Sequence, residues 1–364
     1  MQRPDMSRGA RLAAHGGVAT ALALCGDREL GTLVDGATPV GSGIGGTTAL
    51  LEVGGTPVFV KQVPLTELEL RPENRQSTAN LFGVPAFCQY GFGALGGPGS
   101  GAWRELAAHT MTTNWVIAGE HEGFPLMYHW RVLPGPGGPL PGELADVERA
   151  VAYWGGRSGV RRRIEALRQS PARLTLFLEY IPQNLHDWLG ERIGAGDEAA
   201  ARACALVDGQ LQSAAAFMAA RGLLHLDGHF RNILTDGSRL YVADYGLALS
   251  SRFDLSPEEA AFHDRNLTHD RDYAASCLVH WLITARYGTG VGWDRRYALV
   301  RACAAGQRPA GMPEAVAAIV ARYAPLTLVM WDFIRAFQEE SRETPYPREA
   351  IRRAAGCAAG AGTS

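Results

Sequence analysis

The chain has 364 residues, a length that allows two or three domains or one large two-lobed domain. Hydrophobic residues make up 46% and charged residues 20%, a composition typical of a folded globular protein that excludes disorder as the main state. The 35 Lys and Arg residues against 37 Asp and Glu give a net charge of −2. No broad positive field exists for nucleic acid or anionic lipid, so we expect neither nucleic acid nor a membrane as a partner.

The six cysteines are scattered singly and form no pair or cluster at metal-ligand spacing. We therefore expect a reducing, cytoplasmic location and no structural zinc. The longest apolar stretches, such as residues 273–283, are shorter than the roughly 20 residues that span a bilayer, so no transmembrane helix is predicted. Residues 3–25 superficially resemble a signal peptide, but the apolar part is short and Ala-rich, and a short helix leading into the first strand is the preferred interpretation.

Strands dominate the predicted structure of the first 180 residues. Residues 38–63 contain a glycine-rich bend, two β-prone runs and a Gly-Gly turn, which predicts two or three antiparallel strands. The pattern then predicts a long loop at 64–100, a helix at 102–113, a strand at 124–133, a break rich in Pro and Gly at 134–142, a basic helix ending near 168 and a buried strand at 174–180.

Helices dominate the rest of the chain. The pattern predicts a short helix at 185–189, an Ala-rich helix at 197–221, short strands at 232–235 and 240–243, helices from 256 to about 340, and a disordered tail at 351–364. We therefore predict an α+β fold of two lobes. A small β-rich lobe takes residues 1–180, with insertions at 64–100 and 134–170, and a helical lobe takes residues 181–350.

Four motifs follow one another in a fixed order. They are the bend Gly41-x-Gly43-x-x-Gly46, Lys61 in the second strand after it, the stretch His225-Leu226-Asp227 with Asn232, and Asp244-Tyr245-Gly246. Each motif alone is a weak signal, but the ordered set is strong. It resembles the protein-kinase-like superfamily, which includes eukaryotic-type protein kinases and the aminoglycoside and choline phosphotransferases. The resemblance covers residues 38–285 and implies a two-lobed kinase-like fold that uses ATP and Mg²⁺.

The glycine-rich bend has a physical reason to bind phosphate. Backbone N–H groups at Gly41, Gly43 and Gly46 can approach phosphate oxygens because no Cβ atom stands in the way. Taken alone, the motif is more simply interpreted as a hairpin turn. The motifs downstream favour the phosphate interpretation.

Lys61 lies in an otherwise apolar strand, where an ammonium group is costly unless it is paired. The resemblance implies that Lys61 bridges the α- and β-phosphates and a glutamate on a helix. Glu105 is the expected partner, Glu67 and Glu69 are rivals, and a solvated helix face is the alternative for each of these glutamates.

The segment LFLEYIP, residues 176–182, resembles the kinase hinge that lines the adenine pocket. On that resemblance Leu178 takes the gatekeeper position. The Glu179 carbonyl accepts a hydrogen bond from the adenine amino group, and the Ile181 N–H donates to the ring. A core strand is the alternative interpretation.

Asn232 follows Asp227 at the five-residue spacing of the kinase catalytic loop. The resemblance implies that Asp227 orients the acceptor hydroxyl and takes its proton, while Asn232 and Asp244 bind Mg²⁺, which prefers oxygen ligands. His225 is expected to brace the loop, with Asp270 or Asp272 anchoring it. A Ser-His-Asp hydrolase is disfavoured because the sequence contains no GxSxG motif.

Two residues near Asp227 differ from the protein-kinase pattern, and both differences bear on which phosphate acceptor the protein uses. Leu226 replaces the arginine that clamps a phosphorylated activation loop, so we expect no such control. His229 stands where protein kinases usually have lysine, and we expect it to assist transfer of the γ-phosphoryl group.

We expect the hydroxyl of a Ser or Thr in a protein or peptide as the acceptor. A small-molecule, antibiotic-like phosphotransferase is the alternative, favoured by Leu226, His229 and the short segment after Asp244. A nucleotide-binding pseudokinase scaffold is disfavoured because four chemical groups are all present: Lys61, Asp227, Asn232 and Asp244.

Two further patterns have simple structural interpretations. Ser256-Pro257-Glu258 could be a degenerate form of the Ala-Pro-Glu that closes the peptide-docking segment of protein kinases, but Ser256 with Glu259 also forms the pattern of a helix capping box. The basic run 161–163 is expected on a solvated helix face, although an anionic acceptor could dock there.

Overall fold

A computed structural model describes residues 6–136, 140 and 142–360, and side chains up to residue 354. The fold is mixed α+β, with 53% helix and 15% strand, which confirms the predicted class at that level. The chain divides into two compact units, Met1–Pro182 with Tyr241–Ala260, and Gln183–Leu240 with Ala261–Ser364. Residues 241–260, which the sequence-based division places in the helical lobe, thus belong to the first unit.

A five-stranded antiparallel sheet forms the centre of the first unit, in the order β1-β2-β3-β5-β4. Its strands are β1 (Thr38–Gly43), β2 (Gly46–Val53), β3 (Thr56–Leu65), β4 (Met127–Pro134) and β5 (Ala172–Glu179). The prediction of antiparallel strands across residues 38–63 is confirmed, and three form. Leu174 and Leu176 of β5 pack with Trp103 and Leu106 to form the core beneath the sheet.

The described residues of the first unit also form helices. They are α1 (Arg8–Leu24), α2 (Asp27–Asp35), α3 (Glu67–Leu70), α4 (Ala102–Ala118), α5 (Gly142–Ala145), α6 (Val147–Tyr153) and α7 (Ser158–Arg168). Two helices precede β1 where the sequence predicts one short helix. The predicted break at 134–142 lies partly outside the described residues, with β4 ending at Pro134 and α5 beginning at Gly142.

The segment 64–100 is mainly irregular, as predicted, but it is packed rather than solvated. Its apolar side chains Phe82, Val84 and Tyr90 are buried, and so are its polar residues Glu69 and Gln89. Buried polar groups require partners, so this segment is part of the folded core of its unit.

The second unit is mainly helical. It contains β6 (Gln183–Asn184), β7 (Leu223–Leu224), β8 (Ile233–Thr235), α8 (Leu185–Gly194), α9 (Asp197–Ala220), α11 (His269–Tyr287), α12 (Trp293–Ala304), α13 (Glu314–Glu339) and α14 (Arg348–Gly360). Strand β6 pairs with β8. The chain passes between the units at β9 (Leu240–Val242) and α10 (Pro257–Arg265), while β10 (Leu249–Ser250) lies in the first unit.

Helix α13 is the one helix among the described residues that is long and apolar enough to cross a membrane. Half of its most apolar stretch is buried inside the protein. Helices α11, α12 and α14 pack against it. A buried core helix has the same length and composition as a membrane span, so this feature is weak evidence for a membrane.

The chain end differs from its prediction. Residues 351–360, predicted as the start of a disordered tail, continue helix α14, and Ile351 is buried. Alanine has the highest helix propensity, and this stretch is rich in alanine. Residues 361–364 of the predicted tail lie outside the described residues.

Candidate functional site

The ammonium group of Lys61 lies between two carboxylates in the first unit. Lys61 Nζ is 2.6 Å from Glu105 Oε1 and 2.9 Å from Asp244 Oδ1. Strand β3 carries Lys61, the first turn of α4 carries Glu105, and Asp244 follows β9. Lys61 and Glu105 are buried, whereas the Asp244 side chain is 45% exposed. Of the three glutamates considered from the sequence, Glu105 is the partner.

The electrostatics of this cluster follow from two carboxylates sharing one ammonium group. Burial alone would lower the pKa of Lys61, but Asp244 and Glu105 outweigh burial and raise it above the ordinary lysine value. Burial raises the pKa of Glu105, with Lys61 opposing this shift and Asp244 adding to it. Lys61 is therefore charged at neutral pH. With both carboxylates ionised, the cluster carries one excess negative charge, and its exposed group is Asp244.

Lys61 is the only lysine in the sequence, and the other 34 basic residues are arginine. A lysine presents a compact point charge, whereas arginine presents a broad planar fork. The space around Nζ is small, because a Cβ atom on Gly45 would lie 3.0 Å from it. The only lysine thus occupies a buried position that favours a compact cation over the larger guanidinium group of arginine.

The glycine-rich bend is the hairpin between β1 and β2. Gly46 has φ +111°, and a Cβ atom there would lie 1.9 Å from the Gln62 carbonyl oxygen, so only glycine fits. Gly45, which the sequence motif passes over, covers the Lys61 ammonium. The Gly45-Gly46 doublet is the feature of the sequence that could have identified Gly45 as part of this bend. Gly41 and Gly43 lie in the exposed strand β1, where a Cβ atom would cause no close contact.

In the motif Asp244-Tyr245-Gly246, the backbone conformation orients the carboxylate of Asp244. Asp244 has φ +65°, a conformation that non-glycine residues rarely adopt, and the Gly246 N–H donates to Asp244 Oδ1 at 3.3 Å. Tyr245 is fully buried, and its hydroxyl donates to the Val242 carbonyl at 2.7 Å. Its ring packs edge-on against His109 of α4. The buried tyrosine fixes the turn that carries Asp244.

In the segment predicted as a hinge, the side chain of Glu179 is bound by an arginine from a distant helix. Leu178, Glu179 and Ile181 are buried at the end of β5. The Glu179 carboxylate accepts hydrogen bonds of 2.8 Å from Arg11 Nε and Nη2. Arg11 lies on α1, is 2% exposed, and was not identified from the sequence because an arginine on an N-terminal helix has the appearance of a solvated group.

In the second unit, Asp227 and Asn232 contact each other directly. Asn232 Nδ2 donates to Asp227 Oδ2 and to the Asp227 carbonyl, both at 3.0 Å. The Oδ1 atom of Asn232 is then the oxygen that remains for a cation, as the predicted Mg²⁺ role requires. His229 Nε2 lies 3.7 Å from Asp227 Oδ1, and His229 is 40% exposed.

Asp270 anchors the loop that carries Asp227, which decides between the two aspartates considered from the sequence. Its carboxylate accepts the His225 N–H at 2.6 Å and the Leu226 N–H at 2.9 Å. Leu226 has φ +63°, so the loop is held in a rare backbone conformation. Burial would raise the pKa of Asp270, but hydrogen bonds from His269 and the His225 N–H hold it below its ordinary value. Asp272 instead accepts from the Tyr346 hydroxyl at 2.8 Å.

The residues after Asp244 in the first unit are also fixed. The predicted capping box is confirmed, because the Glu259 N–H donates to Ser256 Oγ and the Ser256 N–H donates to Glu259 Oε2. Glu259 Oε1 further pairs with Arg104 of α4 at 2.8 Å. The Asp254 N–H donates to Thr78 Oγ1, in the segment 64–100.

The basic run is only partly solvated. Arg161 is half-exposed and pairs with the exposed Glu148, in agreement with the prediction. The prediction is wrong for Arg163, which is 3% exposed and lies 2.8 Å from Glu69 Oε2. Consecutive helical residues point about 100° apart, so one of three adjacent arginines faces inward.

No protein-family model and no curated protein matches this chain. Within residues 6–136, 140 and 142–360, no group of three or more His, Cys, Asp or Glu side chains could hold a metal ion.

Proposed function

We propose that this chain is an ATP-dependent phosphotransferase of the two-lobed protein-kinase-like fold, which transfers the γ-phosphate of ATP to a hydroxyl group. The observation that carries the proposal is the buried ammonium of the only lysine, 2.6 Å from Glu105 and 2.9 Å from Asp244 beneath a glycine bend. Phosphoryl transfer requires cations at the phosphates, a backbone cradle and an oriented hydroxyl. Each requirement has a candidate among the described residues.

In the first unit, Lys61 would bind phosphate oxygens and the Gly45-Gly46 bend would cover them. Asp244 would be the carboxylate ligand of Mg²⁺, because it is the exposed carboxylate of the cluster. Bound Mg²⁺ would neutralise charge on the transferred group. Glu105 would keep Lys61 in place when Asp244 turns to the metal ion.

In the second unit, Asp227 would accept the proton of the acceptor hydroxyl, and its side chain is oriented by Asn232. Asn232 would offer Oδ1 to Mg²⁺, since its Nδ2 is bound to Asp227. His229, 3.7 Å from Asp227, would donate to the γ-phosphoryl group. In this transfer the hydroxyl proton would pass to Asp227, the hydroxyl oxygen would bond to the γ-phosphorus, and the bond between the γ-phosphorus and the β–γ bridging oxygen would break, so that ADP leaves.

For the acceptor we propose a Ser or Thr hydroxyl of a protein or peptide. A small-molecule acceptor is a second candidate, favoured by a specific observation. The segment after Asp244 is short and tied to its own unit through Asp254 and Glu259. Leu226 is fully buried, so that position offers no charge to a phosphorylated loop. A segment fixed in this way is suited to an enzyme without activation-loop control.

The single lysine permits a direct test of nucleotide binding. An acyl-phosphate derivative of ATP acylates amines that lie beside its phosphates, and apart from the terminal α-amine Lys61 is the only primary amine in the chain. We expect labelling of Lys61 that excess Mg-ATP suppresses, whereas labelling of the α-amine is unchanged and serves as the control. Peptide mapping by mass spectrometry distinguishes the two. Lys61 labelling that Mg-ATP fails to suppress, together with no heat on titrating Mg-ATP, would contradict the proposal.

The acceptor class requires a second experiment. The protein is incubated with γ-labelled ATP and a cell extract, with an Asp227→Asn variant as the control. Label in protein bands supports the first choice, and label only in small polar compounds supports the second. Mg-ATP binding without transfer to either would instead indicate a nucleotide-binding scaffold.

A further inference from the structure

Helix α4, which carries Glu105, has no cap of its own. Its N-cap residue is Gly101, which has no side chain to accept a hydrogen bond. Glu69, from the segment 64–100, fills this role, because its Oε1 accepts the Ala102 N–H at 2.7 Å. A carboxylate at a helix N terminus satisfies an N–H group that the helix leaves unpaired and complements the helix dipole.

Glu69 is itself held by several donors. Its Oε2 accepts from the Thr66 N–H at 3.0 Å, from Thr66 Oγ1 at 2.6 Å and from Arg163 Nη1 at 2.8 Å. Burial would raise the pKa of Glu69, but Arg163 and Thr66 more than offset it and lower the pKa, so the carboxylate is ionised at neutral pH. Its backbone carbonyl also accepts from Trp103 Nε1 at 2.9 Å. The cap therefore has one orientation.

The opposite side of the same helical turn is fixed as well. Arg104 Nε donates to the Thr78 carbonyl at 2.6 Å, and Arg104 Nη1 pairs with Glu259 at 2.8 Å. Glu105 is the next residue, so its backbone cannot shift or rotate without breaking buried contacts on both sides of the turn. Each of these buried, charge-assisted bonds is costly to lose.

We infer that Glu69 is a positioning residue that holds Glu105 against Lys61, so that this ion pair is assembled before any nucleotide binds. The insertions predicted at 64–100 and 134–170, to which the sequence assigns no role, supply the two members of the brace: Glu69 lies in the first and Arg163 in the second. The effect on turnover rests on the proposed function. The effect on the order of α4 does not.

Hydrogen exchange of the full chain, with and without Mg-ATP, tests the brace directly. In the wild-type protein we expect the amides of residues 106–110 in α4 to be protected already, with no further protection from Mg-ATP. In Glu69→Gln we expect these amides to exchange about tenfold faster or more, as loss of a charge-assisted bond implies. Unchanged exchange in Glu69→Gln, or strong protection of wild-type α4 by Mg-ATP alone, would overturn the inference.

Turnover supplies a readout that a purely structural role would not give. If Glu69 acts through Glu105, Glu69→Gln lowers kcat/KM by about tenfold in the wild-type background and causes no further loss in a Glu105→Gln background. Independent, multiplicative losses in the double variant would contradict this. If the wild-type protein neither binds Mg-ATP nor transfers phosphate, the proposed function fails, and the exchange measurement still decides the inference.

Two more variants guard against a failure to fold. Ala102→Pro removes only the N–H that Glu69 accepts and keeps the Glu69–Arg163 pair, and proline is tolerated at the first position of a helix. It should reproduce the faster exchange of residues 106–110, and normal exchange in this variant would also overturn the inference. Glu148→Gln is the matched control, since it makes the same substitution in the exposed pair with Arg161 and should change neither readout.

Discussion

The residues around Lys61 and those around Asp227 are held in place by different interactions. In the first unit, Lys61 is held by ion pairs with the buried Glu105 and the partly exposed Asp244. In the second unit, the loop at Asp227 is fixed by backbone N–H groups that donate to Asp270 and by the amide of Asn232. The difference agrees with the roles proposed above: a cation that binds phosphate would need a lasting opposite charge, whereas a group that accepts a proton would be better oriented by neutral donors.

The largest effect is expected at Asp227. Asp227→Asn keeps the shape of the side chain but removes the proposed proton acceptor, so turnover should fall by about 10² to 10⁴, or about 3 to 5 kcal/mol of barrier. Steady-state kinetics measures the loss, and calorimetry should show unchanged Mg-ATP affinity. A variant with wild-type turnover would remove Asp227 from the mechanism.

Arg11 tests the cost of breaking a buried ion pair in the first unit. Arg11→Ala leaves the buried Glu179 carboxylate without its cation and should lower the free energy of unfolding by about 3 to 5 kcal/mol. Urea denaturation measures this change. The control is Arg8→Ala on the same helix, which removes an exposed bond to the Ile117 carbonyl and should cost about 0.5 kcal/mol or less. Equal losses of unfolding free energy in Arg11→Ala and Arg8→Ala would refute the claim that the buried ion pair costs more to break than the exposed bond.

Asp270 tests how the loop at Asp227 is anchored in the second unit. Asp270→Asn weakens two hydrogen bonds to backbone N–H groups, and we expect a loss of about 1 to 3 kcal/mol in unfolding free energy at pH 7. The folded-state pKa of Asp270 is lowered, so its stabilisation is present above the unfolded pKa of about 4 and disappears as pH falls through the folded value. Urea titrations should therefore show the two proteins converging below about pH 4. A difference in unfolding free energy between the two proteins that stays constant with pH would argue against the role of the Asp270 carboxylate as the anchor of this loop.

The smallest effect is expected at His229. This side chain is 40% exposed, and its Nε2 atom lies 3.7 Å from Asp227 Oδ1. His229→Ala should lower turnover by about tenfold, the loss that corresponds to one hydrogen bond to a charged group, with little change in Mg-ATP affinity. Kinetics and calorimetry on the same preparation separate the two quantities. Equal turnover in both proteins would dispose of a role for His229.

The sequence predicts best where local pattern or motif order carries the information. The strands at 38–65 follow from β-prone runs and glycine turns, and the Lys61–Glu105 pair follows from motif order. The pairs Arg11–Glu179 and Arg163–Glu69 were missed because contacts between residues distant in sequence leave no periodic signal. The anchor of the loop at Asp227 was narrowed only to Asp270 or Asp272, since two aspartates two residues apart on one helix differ in direction but not in type.

The first unit is discontinuous in sequence, and this has a consequence for biosynthesis. Asp244 and Tyr245 complete a unit whose sheet is finished by residue 179, more than sixty positions earlier. On the ribosome the sheet and Glu105 emerge long before the segment that supplies the second carboxylate for Lys61. The nascent chain must therefore hold the Lys61 ammonium against Glu105 alone until Asp244 is made, and a fragment ending at Pro182 would contain all five strands of the sheet without the complete cluster.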